Sequence, residues 1–377
     1  MSSLSLHEFH ATLDAVFTEL NGGEVIDHYG DYLSEHAALT GSVGVLDLSF
    51  RSRLCLTGAD RQRFLHGQVT NDVNKLQPGL GCYAALISAK GKMQSDLNIY
   101  RLDDELLLDF EPGLGATVSE RLDKYIIADD VQIMDVTPHY GLLSVQGPQA
   151  ASTVEKLQLG FALPTTPFSF SKITDPTLGE IYLVNQPRLG STGFDVFIPT
   201  NALGAVADKL IAAAKELGGR ACGWRAMEIA RIEGGLPRFG ADMDESNLPP
   251  EAGLDAKAIS YSKGCYIGQE VIARIRTYGQ VARALRGLRL AEDLASLPVK
   301  GDKLFSGEKE VGYVTSAVFS PRLKANIALG YVRREANAIG TELLLRNASG
   351  ESPAKIVELP FVKCITGAPI FDPARFC

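Results

Sequence analysis

Two segments in the first half of the chain share one arrangement of apolar and polar positions. In FRSRLCLTGADRQRFLHG (residues 50–67) and HYGLLSVQGPQAASTVEKL (residues 139–157), an apolar strand-like run stops at Gly58 or Gly147 and a helix start follows, with Asp60 and Gln149 at matching places. The match predicts two related α+β units within the first 250 residues. Between them, MQSDLNIYRLDDELLLDF (residues 93–110) predicts two strands joined at Asp103-Asp104, GLGATVSERLDKYIIA a helix, and VQIMDV another strand. The opening MSSLSLHEFHATLDAVFTEL predicts an amphipathic helix that stops at Gly22-Gly23. Pro164, Pro167 and Pro176 mark residues 162–180 as a loop or edge excursion. Helical spacing returns over residues 202–217 and 224–232. Beyond Pro249-Pro250 come short strand-like runs, ARALRGLRLA, KEVGYVTSAVF, NIALGYVRRE, TELLLRN and AKIVEL, whose length and spacing predict a small barrel or sandwich. The final GAPIFDPARFC reads as a loose tail.

Composition narrows the picture. A chain of 377 residues, 45% hydrophobic, buries ample core and suits two or three domains. The cysteines at 55, 82, 222, 265, 364 and 377 form no CxxC pair, so no zinc ribbon or cluster motif is written locally, and their use suits a reducing cytosol. The N-terminal segment, with Glu8, Asp14 and Glu19, reads as neither signal peptide nor membrane span. A net charge of −8 opposes broad nucleic-acid binding. Residues 263–289 run the other way. They hold Lys263, Arg274, Arg276, Arg283, Arg286 and Arg289 against Glu270 alone, which reads either as a solvated face or as a rim for an anionic ligand.

The chemistry-bearing candidate is KGCYIGQE, Lys263–Glu270. It sets Cys265 in a glycine-flanked turn before GQEVIARIR, whose apolar Val271, Ile272 and Ile275 suit an amphipathic helix entered through Gly268. A helix start and Lys263 favour the nucleophilic form of a nearby sulfur, and Glu270 opposes it; the alternative is a small buried hydrophobe. Other motifs fail on inspection. The GxG at Gly113–Gly115 has Val118 at its third glycine position and Glu111 where a pyrophosphate belongs. DMDESNLPPEAG lacks the glycine and the glutamate of a calcium loop, no GxSxG elbow exists, and the histidines suggest no metal site.

KGCYIGQE, with RIEGGLPRFGADMDESNLPPEAGLD before it, resembles the signature of the YgfZ family of folate-binding proteins, relatives of the glycine cleavage T-protein. FLHGQVTNDV, AKGKMQSDLNIYRL, QPRLGSTGFDVF and GYVTSAVFSPRLKANIALGYV resemble family blocks in the family's order, from about residue 45 to residue 335. The resemblance implies an α+β, three-domain T-protein-like architecture around a central folate channel, with a C-terminal small β-barrel. Its expected domains are 1–48 with 139–252, 49–138, a connecting segment 253–280 carrying KGCYIGQE, and 281–377. It implies tetrahydrofolate or a derivative as cofactor, iron-sulfur client proteins, and a role in cluster synthesis or repair, including clusters of tRNA-modifying enzymes, with Cys265 as the working residue. Lys263, Gly264, Gly268, Gln269 and Glu270 would support that turn. Asp96 is the expected acid, and Tyr83, Asp195, Trp224, Arg225 and Arg274 the further folate contacts. The rival is a tetrahydrofolate-dependent aminomethyltransferase or demethylase. The chain departs from T-protein relatives where it matters for that rival: Ser95-Asp96 replaces an acidic pair, Ser191 a glutamate and Met227 an arginine.

The basic run yields a direct expectation. Arg274→Glu combined with Arg276→Glu weakens a polyglutamylated folate about tenfold or more in calorimetry and a monoglutamate much less, because each added carboxylate loses an opposite charge. Equal loss for both ligands would show that these cations do not read the tail.

Overall fold

The computed structural model describes residues 3–279 and 281–362. In chain order its elements begin with α1 (His7–Ala11), β1 (Val16–Leu20), β2 (Gly23–His28), α2 (Tyr32–Gly41), β3 (Gly44–Asp47), β4 (Ser52–Thr57) and α3 (Arg61–Gln68). There follow β5 (Leu80–Ile87), β6 (Met93–Arg101), β7 (Leu106–Phe110), α4 (Gly115–Asp123), β8 (Gln132–Asp135), β9 (Tyr140–Gln146) and α5 (Ala150–Glu155). Next come β10 (Phe170–Asp175), β11 (Gly179–Asn185), β12 (Gly193–Pro199), α6 (Leu203–Glu216), β13 (Arg220–Ala221), α7 (Trp224–Glu233), α8 (Asp255–Ala258) and α9 (Gln269–Tyr278). The last strands are β14 (Arg283–Leu290), β15 (Lys303–Ser306), β16 (Lys309–Ser320), β17 (Ala325–Arg333), β18 (Glu342–Asn347) and β19 (Gly350–Val357). The chain forms two compact units: the chain up to Ala84 with Ser95–Glu228, and Ala85–Gln94 with the chain from Ile229 onward.

The first unit holds a six-stranded sheet, β10-β11-β12-β9-β3-β13, and a sheet ordered β5-β6-β7-β4-β8 whose first two strands pass into the other unit at their hairpin end. Alternation of apolar residues on β3, β9 and β12 packs Val45, Val145 and Val196 against Leu203, Val206 and Leu210 of α6. The paired motif read from sequence has a counterpart in the backbone. Gly58 and Gly147 have φ of +96° and +126°, and a Cβ on either would strike a carbonyl oxygen, that of Asp130 or of Ser42. Those same carbonyls accept from the amides of Asp60 (3.1 Å) and Gln149 (2.9 Å), the residues before α3 and α5. Each strand-to-helix corner is thus clamped against the segment entering a neighbouring strand, β8 in one case and β3 in the other.

One local expectation is overturned. The N-terminal helix ends at Ala11, and Val16–Leu20 pairs with Gly23–His28 as a hairpin. Asn21 and Gly22 are its two-residue loop, with φ of +51° and +82°, the type I′ chemistry that an Asn-Gly pair supplies. The glycines therefore turn a strand instead of stopping a helix. The proline-rich stretch contributes β10, an edge strand, with Pro164 and Pro167 before it and Pro176 in the turn after it.

In the second unit β14-β17-β16-β15-β18-β19 close into a barrel. Its interior is aliphatic, including Leu288, Val314, Ala328, Leu345 and Ile356. Four-residue β15, too short to read from the sequence, completes the closure. The acidic run DMDESN is spoken for: buried Asp242 accepts from Arg231 Nη1 at 2.5 Å and from the Thr315 and Ser316 hydroxyls of β16 at 2.6 and 2.7 Å. The GAPIFDPARFC tail lies outside the described residues.

The two sheets of the first unit are joined by ion pairs with almost no solvent access. Arg188, after β11, donates to Asp109 of β7 at 2.9 Å and to both oxygens of Asp195 on β12 at 3.1 and 2.9 Å through Nε, and Asp109 and Asp195 are both 0% exposed. Arg51 Nε completes Asp109 at 2.8 Å and Arg51 Nη1 holds Glu111 at 2.6 Å. Burial pushes the Asp109 carboxyl up, but the two guanidiniums outweigh it and hold it well below the usual carboxylate range. Arg188→Met leaves both carboxylates short of a counter-ion and is expected to cost about 3–5 kcal/mol in chemical denaturation. Arg188→Lys recovers only part of that, because an ammonium lacks the planar fork that spans two partners.

Candidate functional site

Strands β5 and β6 carry the carboxylate expected to act. Tyr83 on β5 donates its hydroxyl to Asp96 Oδ2 on β6 at 2.8 Å. Both residues are half-buried and keep some solvent access. Asn71 Nδ2, from the FLHGQVTNDV block, braces this strand by donating to the Tyr83 carbonyl at 2.8 Å. Burial raises the Asp96 carboxyl, the charge of Glu111 raises it further, and the Tyr83 hydrogen bond and Arg51 pull it back; the outcome is about 6. A group poised there exchanges a proton near neutral pH.

The other expected folate contacts have definite positions. Asp195 is sealed within the Arg188 ion pairs, so its carboxylate anchors that network and does not face a ligand. This corrects its assignment as a contact residue; burial at 0% leaves no surface to offer. Trp224, the first residue of α7, is half-buried with its ring edge-on to Phe50 at 5.6 Å. Arg225 is exposed, pairs with Asp27 at 2.5 Å and lies over the Tyr32 ring at 5.0 Å, so an anionic ligand must compete with Asp27 for it. Tyr100 is core, enclosed by Phe168, Phe170 and Phe197.

KGCYIGQE belongs to the second unit. Cys265 is exposed, not a buried hydrophobe. The sulfur-bearing residue stands outside α9, before its N-cap Gly268, whose φ is +81°. A Cβ at 268 would meet the Ser88 carbonyl oxygen at 2.5 Å and Ile87 Cδ1 at 2.8 Å, so only glycine lets the loop settle on the tip of the β5–β6 hairpin. One turn into α9, Val271 packs on Gly91 of the same tip. Gln269 donates its amide to the Tyr266 carbonyl at 3.2 Å. Lys263 is buried, its ammonium 4.7 Å above the Tyr266 ring. Gly264, Glu270 and Arg274 are exposed, and Arg276 stacks on Tyr261 at 4.1 Å. Of the remaining cations in the basic run, Arg283 is held by the Ser246 carbonyl and Arg286 by that of Asn337. The cations exposed on α9 are thus Arg274 and Arg276.

Sequence reasoning missed Arg51 and Glu111 as parts of the Asp96 surroundings, and Arg188 as the hub of the ion pairs beside them. The signal available was slight: charged residues at apolar-flanked positions, Arg51 beside Phe50 and Glu111 after Phe110, where an unpaired charge is costly.

These features define a class. The profile of the GCVT N-terminal domain matches residues 6–263, and that of the glycine cleavage T-protein C-terminal barrel domain matches residues 283–363. An aminomethyltransferase of Symbiobacterium thermophilum is 30% identical over 369 residues, covering 95% of this chain and 96% of its own. One of Cupriavidus necator is 29% identical, covering 96% and 98%. The crystal structure of the glycine cleavage system aminomethyltransferase T of Bartonella henselae superposes with a TM-score of 0.85 at 24% identity, over 96% of this chain and 98% of that one, and shares its fold. The chain belongs to the glycine cleavage T-protein family. Among the described residues, no helix is long and apolar enough to cross a membrane.

The elevated Asp96 carboxyl carries a stability signature. Because its folded value lies above that of the unfolded chain, the folded state binds the proton more tightly; that stabilisation is present below pH 4 and is lost as pH rises through about 6. Asp96→Asn is therefore expected to exceed the wild type by about 2 kcal/mol above pH 7 and to show a much smaller gain at pH 4, measured by denaturant unfolding at both values. A gain independent of pH would remove the assignment of a raised carboxyl.

Proposed function

We propose that this chain binds a tetrahydrofolate and transfers a one-carbon unit of the aminomethyl type, with Asp96 as its proton-handling residue. The observation that carries the reading is the Tyr83–Asp96 pair, a carboxyl near its midpoint at neutral pH with partial access to solvent. Full-length similarity to aminomethyltransferases supports it. Tyr83 occupies Asp96 Oδ2, which orients Oδ1 for a ligand nitrogen. The folate, when bound, supplies the nitrogen through which a one-carbon unit moves. Asp96 gives a proton to such a nitrogen, is left as a carboxylate, and recovers the proton from solvent. Trp224 offers a ring face, and Arg225 a guanidinium once Asp27 releases it. The losses at positions 95, 191 and 227 thin the set of polar ligand contacts but leave this proton path intact.

A second reading is favoured by one observation, the exposed Cys265 on a glycine-seated loop. In it, the chain is a folate-binding factor of the YgfZ type that assists iron-sulfur clusters of client enzymes through that thiol.

Incubation of pure protein with tetrahydrofolate and an aminomethylated carrier protein separates the two. Multiple turnovers to methylenetetrahydrofolate, reduced at least about a hundredfold by Asp96→Asn, are expected. Stoichiometric folate binding without turnover, together with loss of cluster-enzyme activity in cells that carry only Cys265→Ala, would instead establish the factor.

A further inference from the structure

Along the chain Asp96 has lost an acidic neighbour, since position 95 is serine. Ser95 is fully buried, and its hydroxyl donates to the Asp96 carbonyl at 3.1 Å, so it takes no part on the Asp96 side-chain face of β6. Across the sheet the situation differs. Strands β6 and β7 pair antiparallel with Asn98 opposite Asp109. The paired register ends at Asn98–Asp109; extended two residues further, to Glu111 just beyond β7, the same spacing would bring Asp96 opposite Glu111, on the face of the Asn98–Asp109 pair, whose side chains are hydrogen-bonded at 2.9 Å. Glu111 is 5% exposed, and Arg51 clamps it at 2.6 Å while also holding Asp109 at 2.8 Å. Two carboxyls at facing positions of adjacent strands repel when both are ionised, and an arginine bound to one of them decides which keeps its charge.

We propose that Glu111 replaces in space the acid that position 95 lacks in sequence, forming with Asp96 a cross-strand carboxyl pair in which Glu111, held by Arg51, is the positioning residue that keeps the proton on Asp96. The side chains that act most strongly on Asp96 are Tyr83 from β5, Glu111 just after β7, and Arg51 from the turn before β4. Of these, Glu111 is the one whose charge favours the protonated form, alongside burial itself, whereas Tyr83 and Arg51 oppose it. Asp109, one pair further along, is held between Arg51 and Arg188, and Arg188 is shared with Asp195. The division of labour follows: Asp96 meets the ligand, and Glu111 never does. The proposal rests on the folate reading for its purpose, not for its test.

The test uses the full chain without ligand. Carboxyl carbon NMR, with Asp96 assigned by its loss in Asp96→Asn, follows the titration in wild type and in Glu111→Gln, which keeps a hydrogen bond to Arg51 and removes the charge. The Asp96 midpoint is expected to fall by about one pH unit in Glu111→Gln, and in wild type the Glu111 carboxyl resonance should shift at the Asp96 midpoint. An unmoved midpoint, or a Glu111 signal indifferent to the Asp96 titration, overturns the pair. If Glu111→Gln does not fold, the wild-type response alone decides. In the transfer assay the acid limb of the rate profile should move with the midpoint. A midpoint that moves in a protein without turnover upholds the pair and removes the transfer reaction.

Discussion

A guanidinium shared between two sheets is the constraint on which the first unit depends. Arg188 reaches Asp109 on one sheet and Asp195 on the other, and neither carboxylate touches solvent. Three buried anions, Asp109, Asp195 and Glu111, meet two buried cations, Arg51 and Arg188, and neutral donors complete the set: Ser144 to Asp195 at 2.7 Å and Asn98 to Asp109 at 2.9 Å. Such clusters add little net stability over an apolar core but penalise any arrangement that separates the partners. What they fix is the position of β6 and β7, and through them the place of Asp96.

The β5–β6 hairpin does two jobs. Its stalk presents Tyr83 and Asp96, and its tip forms the seat on which Gly268 and Val271 settle. The stalk belongs to the first unit and the tip to the second, so one hairpin contributes to both.

Much of this was legible in the sequence, and for physical reasons. The strand–glycine–helix corners at Gly58 and Gly147, the β6–β7 pair joined near Asp103, helices α6, α7 and α9, and the C-terminal barrel all follow from period and punctuation, which are local properties. The N-terminal hairpin was hidden because Gly22-Gly23 serves as a helix stop or as half of an Asn-Gly turn, and only pairing decides between them. The site was half legible. Asp96 and Cys265 sit in recognisable blocks, whereas Glu111 lies fifteen residues from Asp96 in sequence and joins it only through strand register, and Asp195 looked like a ligand contact until its partner Arg188 was seen. Proximity created by folding leaves no trace in spacing.

The discontinuous membership of Ala85–Gln94 also bears on how the molecule is made. Met93 gives its amide to the Asn247 carbonyl at 3.0 Å, and Lys92 its ammonium to that of Ser246 at 2.7 Å, so a loop that leaves the ribosome late is completed by a β-turn that emerged some 150 residues earlier. A nascent chain has to hold that turn in readiness while the intervening polypeptide is synthesised. A fragment beginning at Ile229 would lack it altogether, so cleavage at the boundary between units does not yield two self-sufficient halves.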